Sequence, residues 1–387
     1  MTENEGIAPR RFGLPKRTAE AQVAKVQAAL PNQVFQPLPA PTGAPPFRMN
    51  LNQVLPAGAI AGIESTGRLA FHCAGDTGGI SDPHPQESVI AAMTADVHSS
   101  QPPSFFYHLG DVVYFNGEKA QYYPQFYEPY RDYGAPIMAI PGNHDGDAMN
   151  AAVEPSLAGF VENFCAVSPH LTPEAQDANR DAMTQPNVYW TLQTPLLTLI
   201  GLYSNCIEGG VIQADQASWL ESELVASDPH LPVIVAVHHP IYSADSVHGG
   251  NLNLGAILDA GVKASGRIPD LVFTAHVHNY QKFVRQWQGR QVPYVVAGAG
   301  GYHNLHKVAA TASGQPPALP WQLPAPSSDT RLLAYCDDRF GFMRVTATTQ
   351  SILVDYLAVT PVAVVGQPVT PTLVDSFKVD LQTHTVA

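Results

Sequence analysis

The segment Gly110-Asp111-Val112-Val113-Tyr114 decides how this chain is read. It follows Phe105-Phe106-Tyr107-His108-Leu109, an apolar run with the length and aromatic content of a buried strand. A carboxylate therefore stands where a strand ends, and a phenol stands three residues later. In open α/β sheets the loops outside the carboxyl ends of strands are where ligands bind. Asp111 is read here as a carboxylate bridging two metal ions, with Tyr114 binding one of them.

Four further loops repeat the pattern of apolar strand, small residues, then Asp, Asn or His. They are Gly75-Asp76-Thr77-Gly78, Gly142-Asn143-His144-Asp145, Val235-Ala236-Val237-His238 and Ala275-His276-Val277-His278. Alone, each has a bland reading: Gly-Asp is a common turn, and a histidine after a strand is usually structural. Five in order, each at a strand end, point to one site. The ligand chemistry is coherent. A shared carboxylate lets two cations sit about 3.5–4 Å apart. Phenolate and carboxylate suit a harder ion, and imidazole suits Fe, Zn or Mn. The reading gives one hard site, with Asp76, Tyr114 and His278, and one softer site, with Asn143, His238 and His276. Asp111 belongs to both.

These loops resemble the purple acid phosphatase branch of the calcineurin-like metallophosphoesterases, whose pattern is GDxG, GDxxY, GNH(D/E), VxxH and GHxH. The resemblance spans about residues 68–360. The broader superfamily has Asp-x-His in the first loop; here Gly78 stands at the His position and Tyr114 is present. Ala275 stands where the family usually has Gly. Gln216, Trp219, Leu220, Glu221 and Leu224 also resemble the family's segment before the fourth motif. The resemblance implies an α/β fold, a β-sandwich flanked by helices in four layers (αββα). It implies Fe(III) held by Asp76, Tyr114 and His278, and a divalent Fe, Zn or Mn held by Asn143, His238 and His276. Asn143 and His144 would contact the phosphate, and His144 would protonate the leaving group as the catalytic acid. His248 lies near where some members place a substrate-contacting histidine. His239 is read as lying over the pocket or packing structurally, and His72, His84, His303 and His306 as surface or loop residues. The implied activity is hydrolysis of phosphate esters, foremost phosphomonoesters, by attack of a metal-bound hydroxide. The alternatives are a phosphodiesterase acting on cyclic nucleotides or glycerophosphodiesters, and a non-catalytic scaffold with the same fold.

Composition sets the outer limits. The chain has 387 residues, 45% hydrophobic and only 14% charged, with 35 prolines and 30 glycines, so a sizeable core wrapped in loops is expected. Its formal net charge of −13 and lack of a Lys/Arg cluster argue against nucleic acid as a partner. A small phosphorylated substrate would then need local positive charge, which metals supply. Cys73, Cys165, Cys206 and Cys336 have no CxxC spacing and read as buried small hydrophobes. No apolar run is long enough to span a membrane. The N-terminus lacks an apolar signal region, so a cytoplasmic location is expected, or a periplasmic or secreted one if a signal was removed. Residues 1–65 read as an N-terminal extension, with a helix at Thr18–Leu30 and an extended Pro-rich arm at Pro37–Pro46 that packs on the body. Residues 66–387 read as one catalytic domain. Oligomeric state and physiological substrate are not encoded in any motif.

Overall fold

The computed structural model describes residues 37–148, 153–204, 210–311, 314–364 and 367–387. The helix expected at Thr18–Leu30 and Cys206 fall outside them. Sixteen strands are described: β1 (Arg48–Asn50), β2 (Arg68–Ala74), β3 (Phe106–His108), β4 (Ile137–Ala139), β5 (Trp190–Gln193), β6 (Thr198–Leu202), β7 (Val233–Val237), β8 (Leu271–Thr274), β9 (Tyr280–Trp287), β10 (Arg290–Ala297), β11 (Trp321–Gln322), β12 (Thr330–Cys336), β13 (Phe340–Thr348), β14 (Ser351–Val359), β15 (Thr372–Asp380) and β16 (Thr385–Val386). The helices are α1 (Ala57–Thr66), α2 (His84–Val97), the single turn α3 (Asn143–Gly146), α4 (Ala158–Phe164), α5 (Ala214–Ala226) and α6 (Leu252–Ser265).

The strands form two sheets. One has the order β16-β15-β14-β13-β2-β3-β4, the other β1-β5-β6-β7-β8-β10-β9-β12-β11. Alternation along each strand sorts its side chains between two apolar layers. On β2, Leu69, Phe71 and Cys73 join the core between the sheets, where Phe71 stacks on Phe105 at 4.9 Å. On β7, Ile234 and Ala236 face that core, while Val233, Val235 and Val237 pack outward with Leu220 of α5 and Leu258 of α6. Outside the first sheet, Ala74 and Phe106 pack with Val89 and Met93 of α2. Helices thus cover both outer faces, giving the four layers expected. Burial on both faces explains why these strands read as continuous apolar runs.

The site follows from topology. Strands β2, β3 and β4 run parallel in one sheet, and β6, β7, β8 and β10 run parallel in the other. All five motif loops leave the carboxyl ends of these strands. Backbone bonds join the loops: Gly75 N donates to Ala297 O of the other sheet at 2.9 Å, and within each sheet Asp76 N donates to Gly110 O at 2.9 Å and Ala275 N to His238 O at 2.8 Å.

Several local expectations change. Part of the stretch read as an extension lies in the body: β1 pairs in parallel with β5, and Met49, Leu51 and Ile63 are in the core. The aromatic stretch after Gln121 forms a π-helical turn at Tyr123–Tyr127. The short strand β16 pairs outside β15 at the edge of the first sheet. Strands β9 and β12, unanticipated, extend the second sheet.

His72 is not a surface residue. It is fully buried on β2, with Nδ1 at 3.0 Å from Tyr133 Oη and Nε2 at 2.9 Å from Asp96 Oδ2 of α2. Arg344 of β13 donates its Nε to the same oxygen at 2.6 Å, so helix and sheet are clamped together. Burial raises the Asp96 carboxyl, but the His72 and Arg344 bonds outweigh it and hold it at about 2, against 3.8 ordinarily. A depressed carboxyl contributes stability above its unfolded value and loses it as pH falls through the folded one. We expect the half-buried clamp to contribute about 1–2 kcal/mol that disappears between about pH 4 and pH 2. Urea unfolding across that range should show a steeper loss in the wild type than in Asp96→Asn.

Candidate metal centre

Each loop places a polar atom at one point between the sheets. Asp76 and Asp111, after β2 and β3, adopt φ of +56° and +55°, and His276, after β8, adopts +64°. This left-handed backbone costs about 1–3 kcal/mol at such residues and persists only where neighbours over-determine it. Here they do. Asp76 Oδ2 accepts from His276 N at 2.8 Å, and Asp111 Oδ1 accepts from His144 N at 2.9 Å. Asp145 braces the second loop against the third, accepting from Gly142 N at 2.9 Å and from Val112 N at 3.1 Å.

The remaining oxygens and imidazoles converge. Asp76 Oδ1 lies 3.3 Å from Tyr114 Oη, 3.5 Å from His278 Nε2 and 3.9 Å from His238 Nε2. Asp111 Oδ2 lies 3.4 Å from His238 Nε2. Asn143 Oδ1 lies 2.9 Å from His276 Nδ1. One ligand atom each from Asp111, His238 and His276 falls within 4.8 Å of the others. The structure therefore brings all seven proposed ligands together. All are buried, with Asp76 and His238 fully enclosed.

Carbonyls can only accept, so the ring nitrogens bonded to them carry protons. His238 Nδ1 donates to Leu109 O at 2.8 Å, and His278 Nδ1 to Asn304 O at 2.8 Å. Each ring thus turns its Nε2 inward, and a cation that displaces the proton there would meet the tautomer a metal ligand needs. His144 Nδ1 donates to Phe115 O at 2.9 Å, which leaves Nε2 for outward chemistry from a half-buried position at the mouth.

Electrostatics favour a cation here. Burial lowers the His238 imidazole, yet the charges of Asp111 and Asp76 outweigh this and raise it to about 9. Burial raises the Asp111 carboxyl, but His238 and His144 hold it far below the usual range. Tyr114 is pushed well up by burial, then by Asp111 and Asp76, so its phenolate requires a neighbouring cation. Burial and the neighbouring histidines, His239 and His238 foremost, keep His276 neutral. Asp111 Oδ2 and His238 Nε2 are both buried without a hydrogen-bond partner. Orphaned buried polar atoms are costly unless something satisfies them. A carboxylate and an imidazole lone pair are a fitting donor set for a divalent or trivalent transition metal.

Residues 77–280, more than half the chain, match the model of the Calcineurin-like phosphoesterase family. The chain belongs to that family. It is 22% identical over 249 residues to purple acid phosphatase 22 of Arabidopsis thaliana, a match covering 61% of this chain and 51% of that protein. It is 25% identical over 175 residues to purple acid phosphatase 18 of the same plant, covering 43% and 36%. The chain thus spans about half of the first of these curated relatives and about a third of the second. Two solved structures share the fold: purple acid phosphatase PPD1 from yellow lupin (Lupinus luteus), with TM-score 0.55, 15% identity and coverage of 81% of this chain and 54% of that one, and PhoD, with TM-score 0.51, 13% identity and coverage of 83% and 71%.

Two sequence departures have a steric reading in this phosphoesterase. A Cβ at Gly78 would lie 2.7 Å from Tyr114 Cδ2 and would collide with Gln125 Oε1, so the tyrosine ring occupies the room a side chain at 78 needs. A Cβ at Gly75 would lie 2.5 Å from the Ala275 methyl, so that methyl fills the hollow left by a glycine on the facing loop.

Three neighbours escaped sequence reading. Tyr302 stacks on Tyr114 with ring centroids 4.0 Å apart and planes 14° from parallel. His306, read as a loop residue, is buried with its ring centroid 4.5 Å from that of His278. Asp145 was visible as the last letter of the third motif, but nothing in the sequence assigned it the backbone it holds. His84 is half-buried at the start of α2, paired with Asp82. His303 is half-buried in its loop. His239 is buried, its ring 4.3 Å from that of His276 and outside the converging set.

Gly78→Ala should overpack this corner, costing about 1–3 kcal/mol in urea unfolding. It should also lower the metal retained through purification, because Tyr114 must move.

Proposed function

We propose that this phosphoesterase hydrolyses phosphate esters, foremost phosphomonoesters, at a pair of metal ions. The observation that carries the reading is the buried pair Asp111 Oδ2 and His238 Nε2, which face each other at 3.4 Å without a well-formed hydrogen bond and are encircled by five further donors. Asp76, Tyr114 and His278 would hold Fe(III). Asn143, His238 and His276 would hold a divalent Fe, Zn or Mn, and Asp111 would serve both. When bound, the metals would supply Lewis acidity, polarising the phosphoryl group and making water nucleophilic near neutral pH.

The protein's own residues do the rest. Asn143, on the first turn of α3, presents its amide to the phosphate. His144 uses Nδ1 to fix its ring on Phe115 O and Nε2 to give a proton to the departing alcohol oxygen. Tyr302 and Phe115 flank Tyr114, keeping water from the phenol. His248, with its ring 4.6 Å from that of His276, is placed to touch the substrate. The positive centre would draw a phosphate to a chain of net charge −13. Residues 66–387 would form the catalytic domain, with the strand and helix of 48–66 built onto it. Among the described residues no helix is long and apolar enough to cross a membrane.

A second reading includes phosphodiesters, because the pocket beside His276, about 490 Å³, has room for another substituent. Turnover of p-nitrophenyl phosphate against bis(p-nitrophenyl) phosphate separates the two.

Metal analysis should give two ions per chain, and chelation should abolish turnover that metal restores. Asp111→Asn should lose both ions and at least 1,000-fold in activity, an order-of-magnitude expectation. Retention of full activity without metal would sink the proposal. His144→Ala should cost about 10²–10⁴ in kcat on an alkyl phosphate and much less on p-nitrophenyl phosphate, whose leaving group needs no proton. Equal losses on both would remove the acid role.

A further inference from the structure

The loop that carries His248 is exposed, with Val247 open to solvent before it and Gly249 and Gly250 after it. A side chain on such a loop keeps one orientation only where something ties the backbone down. Asp245 does so. Its Oδ2 accepts from Val247 N and His248 N, each at 2.9 Å. Its Oδ1 accepts from Asn279 Nδ2 at 3.1 Å, and Asn279 directly follows His278. The Asp245 side chain is fully enclosed, and its Oδ2 also faces His306 Nδ1 at 3.2 Å. Burial raises this carboxyl, but His306 and the two N–H groups outweigh it and hold it below the usual range.

His306 comes from the loop after β10. Its N donates to His278 O at 3.0 Å, and its O accepts from Asn279 Nδ2 at 3.1 Å. Its buried ring stands between two others, with centroids 4.5 Å from His278 and 5.1 Å from His248. His248 lies in turn 4.6 Å from His276. Four imidazoles thus form a row, His276, His248, His306 and His278, with a proposed metal ligand at each end. Neither Asp245 nor His306 has a part in the hydrolysis proposed for this centre.

We infer that Asp245 and His306 are positioning residues that fix His248 against the substrate, and so set how tightly the phosphoester is held without holding the metals. The inference rests on the phosphoesterase reading and adds how its site is aligned. Hydrogen bonds to an ionised carboxylate are stronger than neutral ones. Here they go to donors on different loops, so the loop of His248 and the loop of His278 keep one register. The His306 ring is the wall against which the His248 ring stands. A group held in place before the substrate arrives costs no ordering at the moment of binding.

The test uses the metal-loaded full chain. Asp245→Asn keeps the shape but turns amide hydrogens toward groups that are themselves donors. His306→Phe keeps a ring and loses Nδ1, whereas His306→Asn puts an amide nitrogen where Nδ1 stood. Kinetics on p-nitrophenyl phosphate gives KM and kcat, calorimetry with inorganic phosphate gives Kd, and metal analysis counts the ions. Asp245→Asn and His306→Phe should raise KM and Kd about tenfold with metal content unchanged and kcat within about threefold. His306→Asn should stay within about threefold of the wild type in both constants. In a His248→Ala background Asp245→Asn should add less than about twofold, because the side chain it places is gone. A full tenfold effect in that background, or metal lost in step with KM, would reduce the pair to a structural role and overturn the inference. Unchanged KM and Kd in Asp245→Asn and His306→Phe would overturn it while leaving the phosphoesterase standing. Phosphate affinities that shift as expected in a protein without turnover would keep the positioning and reject the activity. Should Asp245→Asn fail to fold, the contrast of His306→Phe with His306→Asn still decides.

Discussion

A carboxylate sealed between two sheets is the constraint to which the rest of this molecule answers. Asp111 is almost fully buried, and burial alone would force its proton back on. It stays ionised because His238 and His144 face it and because His144 N holds one of its oxygens. Those groups arrive only if β3, β4 and β7 end at the same level, and that requires the two sheets to pack with their parallel strands pointing the same way. The apolar layer around Phe71, Tyr107, Trp190 and Phe273 sets that packing. The candidate metal centre is thus a property of how the sheets meet, with each motif loop contributing one or two atoms.

Much of this was legible in the chain. The loops could be read because ligand residues after strands must sit within one or two positions of the strand's end, and the apolar runs of β2, β3, β7 and β8 mark those ends clearly. The four-layer fold was legible only through the family resemblance, since doubly buried strands carry no alternation to tell one face from the other. The neighbours of the site were not legible. Tyr302 and His306 come from an irregular Pro-rich loop, and they reach Tyr114 and His278 through tertiary folding that no local pattern records. The burial of His72 was hidden for a related reason: its partners Tyr133 and Asp96 are distant in sequence, and only those bonds, with Arg344 of β13 holding Asp96, make a histidine on an inner strand tolerable. Strand β1 is three residues long and takes its place from its partner β5.

The first and second motif loops also show how a ligand can be exchanged within one steric volume. The space beside Gly78 is filled by the ring of Tyr114, and the hollow at Gly75 by the methyl of Ala275. Both departures from the wider pattern are therefore accommodated by a neighbour.

Strand β2, which ends in Asp76, has β3 on one side and β13 on the other. The first of these neighbours is made soon after it, while the second is some 270 residues away, in Phe340–Thr348. During synthesis, the early half of the candidate site would hang on a three-stranded fragment with an open edge until β13 had left the ribosome. Capture of ions at the candidate centre would belong to the end of that sequence, when the returning β13–β14 hairpin closes the edge and the histidines from the second sheet come opposite the aspartates of the first.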